Sequence, residues 1–280
     1  MAFFARDDTA VAHYAMHIMT VSIVSWNINS IRARPHLIKR LLSEHQVDII
    51  CLQETKCEDG VFPMAPFEAA GFVHNHIAGQ RMHHGVAILS RIPVTLDCRN
   101  DWQANGEARH IAVRLPSGIA LHNVYVPAGG DIPDRTVNPK FGQKLDFLAR
   151  MTDWSGALPG QTIIVGDFNV APHPEDVWSH KALLDVVSHT PIEVEALDML
   201  QRSHGWVDLG RRFVPLPEKL FTWWSYRARD WEASNRGRRL DHVWASPDIA
   251  HTAQELQTLV HTRGWERPSD HVPLLARFAL

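Results

Sequence analysis

Several carboxylates in this chain stand where apolar runs end, a placement that brings them to one rim once those runs pair as strands. Glu54 follows Ile49, Ile50, Cys51 and Leu52, and Asp167 and Asn169 follow Ile163, Ile164, Val165 and Gly166. Asp241 opens another such run, Asn27 ends one, and Asp270 with His271 precedes one more. A single Asp of this kind reads as a turn former or a helix cap. A converging set does not, because clustered carboxylates repel one another unless a cation or a protonated histidine compensates. Mg²⁺ is the natural candidate: it prefers oxygen donors and typically takes one or two carboxylates together with a substrate phosphate. With a positioned water, a base and a donor for developing negative charge, such a group has the equipment to hydrolyse a phosphoester. His271 is the best-placed donor, since a neighbouring carboxylate raises a histidine above its free value of about 6.5. Most of the other histidines, out of 18, are read as surface residues.

The elements that must position these groups follow from periodicity. Val21–Trp26 and Val47–Gln53 read as buried strands, and Pro35–His45 as an amphipathic helix with Leu37, Ile38, Leu41 and Leu42 on one face. Gly85–Ser90, His110–Leu115 and Ile119–Val126 continue as strands. Lys140–Trp154 reads as a helix, as does the stretch around Glu193–Ser203, and Thr162–Asp167, Leu240–Ala245 and Val272–Phe278 as further strands. This mixed order suggests two sheets packed face to face with helices outside. Ala128–Pro139 and Arg227–Gly237 are the loosest loops, where a functional surface is expected.

The 280 residues, 45% hydrophobic and 21% charged, describe an ordinary globular protein able to bury a large core. One catalytic domain over residues 21–280 is expected, after a poorly ordered extension over residues 1–20. That extension has no sustained apolar stretch of the signal-peptide kind, and no run is apolar enough to span a bilayer. Cys51, Cys57 and Cys98 include no CxxC pair, which argues against a disulfide framework or a thiolate zinc site and fits a reducing, cytoplasmic setting. The net charge of −3 hides an uneven distribution. Arg32, Arg34, Lys39 and Arg40 form one basic cluster, and Arg211, Arg212, Lys219, Arg227, Arg229, Arg236, Arg238 and Arg239 crowd another. Local basic fields of this kind suit a nucleic-acid partner.

The residues SWNINSIRAR around Asn27, LQETK around Glu54, NVYVP around Tyr125, GDFNV around Asp167 and Asn169, NRGRRLDHVWAS around Asp241, and SDH at Ser269–His271 resemble, in order and spacing, the exonuclease III branch of the endonuclease/exonuclease/phosphatase superfamily. GDFNV or SDH alone is a weak signal, whereas six in sequence from Val21 onward are a specific one. The resemblance implies a four-layer α/β sandwich of the DNase I-like kind: two mixed β-sheets flanked by helices, with the site at one end. It implies Mg²⁺, with Mn²⁺ as a substitute, bound by Glu54 with Asn27, Asp270, Asp167 and Asn169 close by. Asp167 would orient or deprotonate the attacking water, and Asn169 would hold that water or a phosphoryl oxygen. His271, paired with Asp241, and Tyr125 would contact the scissile phosphate. The implied substrate is duplex DNA, incised 5′ to abasic sites and trimmed or cleaned at 3′ ends, by a monomer.

Arg32, Arg34, Arg109 and Lys140 resemble positions that touch the DNA backbone in the repair branch, contacts that give affinity rather than base readout. Trp223 and Leu240 resemble the lining of a pocket for an abasic sugar, a group that is easily unstacked. Two residues depart from the pattern: Arg238 stands where an apolar residue is usual beside that pocket, and Ala128 replaces a polar side chain near the phosphate. Either change would shift the balance from abasic-site incision toward exonuclease trimming. The nearest alternative is a phospholipid or inositol phosphate phosphatase of the same superfamily, for which secretion signals or apolar membrane loops would be expected. A non-catalytic DNA-binding relative would lack some of Glu54, Asp167, Asn169, Asp241 and His271. A serine hydrolase built on Ser269, Asp270 and His271 fails, because adjacent residues cannot form a triad.

Overall fold

The computed structural model describes residues 19–228 and 230–280. Its elements, in chain order, are β1 (Thr20–Asn27), α1 (Pro35–Glu44), β2 (Ile49–Gln53), α2 (Ala65–Glu68), β3 (His74–Ala78), β4 (Val86–Ser90), β5 (Thr95–Cys98), β6 (His110–Arg114) and β7 (Ala120–Tyr125). There follow α3 (Pro139–Gly156), β8 (Thr162–Asp167), α4 (His180–Leu183), α5 (Pro191–His204), β9 (Val207–Asp208), α6 (Leu209–Phe213) and β10 (Trp223–Trp224). The last are α7 (Trp231–Ser234), β11 (Gly237–Arg238), β12 (Asp241–Ala245), β13 (Ala253–Thr258) and β14 (Leu274–Ala279).

One six-stranded sheet runs β13-β14-β1-β2-β4-β3 and the other β5-β6-β7-β8-β12-β9. Each is mixed, with β1 and β2 parallel in the first and β7 and β8 parallel in the second. Alternation along each strand sets the layers. Val21 and Ile23 of β1, with Ile163 and Val165 of β8, enter the core shared by the two sheets. Val24 and Trp26 face outward onto Leu37, Ile38 and Leu41 of α1, while Ile164 faces α3 and α5. Helix α1 has no side-chain N-cap bond, only Pro35 in its first turn, so its place rests on that apolar stripe. Each such residue contributes roughly 1.5–3 kcal/mol when fully buried. The result is the expected four-layer sandwich. Asn123 of β7 crosses between the sheets, donating to the carbonyls of Leu52 and Ala87 at 2.9 and 3.0 Å and accepting from Gln53 at 2.7 Å.

Six strands were not legible from periodicity: the two-residue β9, β10 and β11, too short to show a period, and three longer ones. β3, β5 and β13 lie at or near sheet edges and are largely half-buried or exposed, so neither face is strongly apolar. Several histidines are not on the surface: His110, His122, His189 and His242 are buried. Part of the second basic cluster is internal too. Arg239, 1% exposed, joins Asp176 and Asp208, and Arg211 also pairs with Asp176. The N-terminal extension lies outside the described residues except for Met19 and Thr20, which already pair with the C-terminal strand end. Arg229 also lies outside them. Among the described residues no helix is long and apolar enough to cross a membrane.

Candidate functional site

The inward-facing rows that supply the core turn polar at one end of both sheets. In β1 the row Val21, Ile23, Ser25 ends on Asn27; in β7 the row Leu121, Asn123 ends on Tyr125; in β8 the row Ile163, Val165 ends on Asp167. Strand β12 runs the other way and begins its inward row with Asp241. Asp167 therefore lies between Tyr125 and Asp241, its register partners on the two neighbouring strands. Gly166 makes the β7–β8 approach possible: at φ 144° an added Cβ would lie 1.9 Å from the Val124 carbonyl oxygen.

Asn27 joins the two sheets, its Nδ2 donating to Glu54 Oε1 and to Asp167 Oδ2, both at 2.9 Å. Asp167 Oδ1 accepts from the Asn169 backbone N–H at 2.9 Å, and Oδ2 also accepts from Asn169 Nδ2 at 3.2 Å. A carboxylate offers about four lone-pair sites, so these contacts leave one on Oδ1 for a water. His271 Nδ1 donates to Asp241 Oδ2 at 2.8 Å, and its Nε2 stands 3.7 Å from Asp167 Oδ2, beyond direct hydrogen bonding. Thr222 Oγ1 donates to the same Asp241 oxygen at 2.6 Å. Asp270 accepts from Asn29 Nδ2 and from Trp223 Nε1, each at 3.0 Å. Non-glycine residues with left-handed backbone gather here: Asn29, Glu54, Lys56, His84 and Asn169 take φ between 47° and 54°. Strain of this sort persists where surrounding contacts over-determine it.

The electrostatics follow from burial and neighbours. Burial, with the charges of Asp241 and Glu54, pushes Asp167 up to about 7 against the opposing pull of His271 and Asn27. Burial disfavours the His271 cation, but Asp241 and Asp167 outweigh it and lift His271 to about 10. Burial and the Glu54 and Asp167 charges hold the Tyr125 hydroxyl well above its ordinary range. Burial also opposes charge on Glu54, yet Lys56, 2.8 Å from Oε2, and Asn27 keep it below the usual carboxylate value.

Glu54, Asp167 and His271 each bring a ligand-type atom within 4.8 Å of the others. Oxygen donors in an electrostatically frustrated carboxylate cluster suit a hard divalent cation. Two other groups of described residues meet the same distance criterion with less to offer. In Cys98, His110 and His122, the Asn100 backbone N–H donates to His110 Nδ1 at 2.9 Å. His110 Nε2 must then carry the proton, which it donates to His122 Nδ1 at 3.0 Å, so neither facing nitrogen is free. In Glu44, His45 and His261, the glutamate is already paired with Arg40 at 2.8 Å and His261 at 3.2 Å on the surface.

Glu54, Tyr125, Asn169, Asp270 and His271 open into a cavity of about 650 Å³ whose lining also includes Trp178, Trp223, Leu240 and Arg238. Ala128 lines it as well. The Arg238 guanidinium lies 5.3 Å from the Trp223 ring centre, and NH1 donates to Val187 O at 3.0 Å and Ser188 Oγ at 2.7 Å. Other expected DNA contacts are placed differently. Arg32 and Lys140 are exposed outside this cavity. Arg34 is engaged internally, donating to Asn29 O, to Pro268 O at 3.0 Å and to Tyr226 Oη at 2.9 Å. Arg109, 6% exposed, pairs with Glu107 and lies 4.9 Å from the Tyr125 ring centre. Sequence reasoning passed over Lys56, Asn29 and Thr222. The first two stand inside the LQETK and SWNINS stretches, so proximity to Glu54 and Asn27 was the available signal.

Residues 24–271 match the model of the endonuclease/exonuclease/phosphatase family. The chain is 31% identical over 273 residues to the exodeoxyribonuclease III of Haemophilus influenzae, covering 92% of this chain and 100% of that one. It is similar to the solved AP endonuclease from Archaeoglobus fulgidus, with a TM-score of 0.85 and 32% identity over 93% of this chain and 100% of the other. A 3′ phosphatase from Neisseria, solved with a product DNA hairpin, is similar at a TM-score of 0.84 and 29% identity, with the same coverage.

Proposed function

The chain belongs to the endonuclease/exonuclease/phosphatase family, and from that membership we propose that it is a Mg²⁺-dependent DNA-repair phosphodiesterase of exodeoxyribonuclease III type. Residues 21–280 act as one catalytic domain, as a monomer in the cytoplasm. The substrate is duplex DNA, incised 5′ to abasic sites and relieved of nucleotides or blocking groups at 3′ ends. Relatives named exodeoxyribonuclease III, AP endonuclease and 3′ phosphatase support that substrate class. The observation that carries the reading is the meeting of Glu54, Asp167 and His271, with Asp241 behind the histidine, where Glu54, Asn169 and His271 open into one cavity.

Glu54 and Asn169 are the residues that would hold Mg²⁺, with Asn27, Asp167 and Asp270 bordering them. When bound, the cation supplies Lewis acidity toward the phosphoryl oxygens. Asp167, poised near neutrality, accepts a proton from the attacking water through its open lone-pair site. Asn169 and Asn27 fix that carboxylate by three side-chain and backbone bonds to its oxygens and a fourth to Glu54. His271, held by Asp241, keeps an Nε2–H directed at the space where phosphoryl charge develops. Tyr125 stays protonated and offers a second donor. Arg32, Arg34, Arg109 and Lys140 support DNA either at the backbone or by shaping the rim. Trp223, Leu240 and Arg238 form the wall against the group attached to the scissile phosphate.

The test is a duplex carrying one abasic-site analogue, incubated beside an intact duplex with recessed 3′ ends, in Mg²⁺ or in EDTA. Metal-dependent incision 5′ to the lesion supports the reading, and the intact duplex reports the strength of trimming. Turnover of a phosphorylated lipid or inositol with neither DNA cut would replace it with the phosphatase alternative.

A further inference from the structure

Lys144 sits on the apolar face of α3, among Phe141, Leu145 and Leu148, and is 0% exposed. A lysine has three N–H donors and no acceptor, and all three meet acceptors here. Its Nζ donates to Asn169 O at 2.7 Å, to Ala128 O at 3.4 Å and to the buried Glu193 carboxylate. Glu193 in turn accepts from the Ser188 N–H at 2.9 Å, the Thr190 N–H at 3.2 Å and Thr190 Oγ1 at 2.6 Å. One ammonium thus ties together the three segments that carry Ala128, Asn169 and Ser188, all of which border the cavity. The backbone makes room for it: at Gly129 an added Cβ would lie 2.9 Å from the lysine Cδ. A buried ion pair is weak evidence for stability, because desolvation offsets much of its attraction. Its geometry therefore calls for another explanation.

We propose that Lys144 is a positioning residue for the reaction: by holding the Asn169 carbonyl it fixes the left-handed backbone of Asn169, and through it the two bonds from Asn169 to Asp167. The inference rests on the reading of Asp167 as the reaction centre. Nothing about Lys144 touches substrate, so its effect is on placement, where small displacements slow the chemical step without weakening binding.

Lys144→Met alone leaves Glu193 as an unpaired buried carboxylate, which destabilises the fold for reasons unrelated to catalysis. Lys144→Met/Glu193→Gln removes that charge and separates the two effects. The variants are compared with wild type for melting temperature, DNA affinity in EDTA, single-turnover cleavage in Mg²⁺, and amide hydrogen exchange over residues 167–171. Lys144→Met is expected to lower the melting temperature, and the double variant to regain much of it. Both should keep wild-type DNA affinity within about twofold while the cleavage rate falls roughly tenfold to a hundredfold, with faster exchange over the Asn169 segment. Wild-type cleavage and wild-type exchange in the double variant would overturn the proposal. Failure of the DNA reading would look different, as absence of cleavage by wild type itself, and the exchange measurement would still decide the role of Lys144.

Discussion

His271 faces two carboxylates with different tasks: Asp241 binds one ring nitrogen at 2.8 Å, while Asp167 stands 3.7 Å from the other. Burial disfavours the imidazolium, but the two acids hold it, so its charge persists from acid pH up to about 10. Asp241→Asn keeps the shape and removes the charge. That variant is expected to lower kcat by about a hundredfold or more and to move the alkaline limb of the pH–kcat profile to lower pH, because less of the imidazolium survives. A profile from about pH 6 to about 10 around the free histidine value checks this, and an unmoved limb would remove His271 from the role of charged donor. At this scale the sequence was informative wherever a polar residue interrupts an apolar run, as at Asn27, Asp167 and Asp241. Lys144 was not readable in the same way. It also interrupts an apolar stripe, but lysine is almost never fully buried unless paired, and its partner Glu193 is 49 residues away.

At the scale of elements, strand ends place the polar cluster and loops line the cavity beside it. β8 holds Asp167 between β7 and β12, and the segments around Ala128, Ser188 and Trp223 shape the cavity beside it. Arg238 is the element-level departure with a testable consequence, since its guanidinium covers Trp223 and is tied down by Val187 and Ser188. Arg238→Leu should make that wall apolar and raise the ratio of abasic-site incision to 3′ trimming several-fold, on the scale of roughly 1–2 kcal/mol for a changed pocket contact. An unchanged ratio in parallel assays of the two substrates would mean that Arg238 does not set specificity. The strands that carry the site were legible because each has one continuous apolar inner row. The edge strands β3, β5 and β13 were not, and neither was the fate of the arginines. Arg34, Arg109 and Arg239 look alike as types in the sequence, yet each is committed to internal acceptors that only the tertiary arrangement reveals.

For the whole molecule, two mixed sheets hold a frustrated polar end while apolar layers supply the stability. Buried histidines add a pH dependence to that balance. Burial and His122 lower His110 well below its ordinary value, burial and Arg114 lower His122 to about 3, and burial and Arg239 lower His242 to about 4. Because the folded values lie below the unfolded one, their contribution is fully present above about pH 6.5 and is lost as pH falls from there toward the folded values. In that window the unfolded chain takes up protons that the folded histidines do not, a loss that Asp167, held above its free value, opposes only in part. Melting temperature is expected to drop steeply between about pH 6.5 and about 5, and a flat calorimetric profile across that window would contradict this. The central claim, hydrolysis of DNA backbone at the Asp167 centre, is tested most directly by single-turnover cleavage of the abasic duplex by wild type and Asp167→Asn, with DNA affinity measured on both in EDTA. The expected result is metal-dependent cleavage by wild type, a loss of about a thousandfold or more in the variant, and similar affinity. Near-wild-type cleavage by Asp167→Asn would place the chemistry elsewhere.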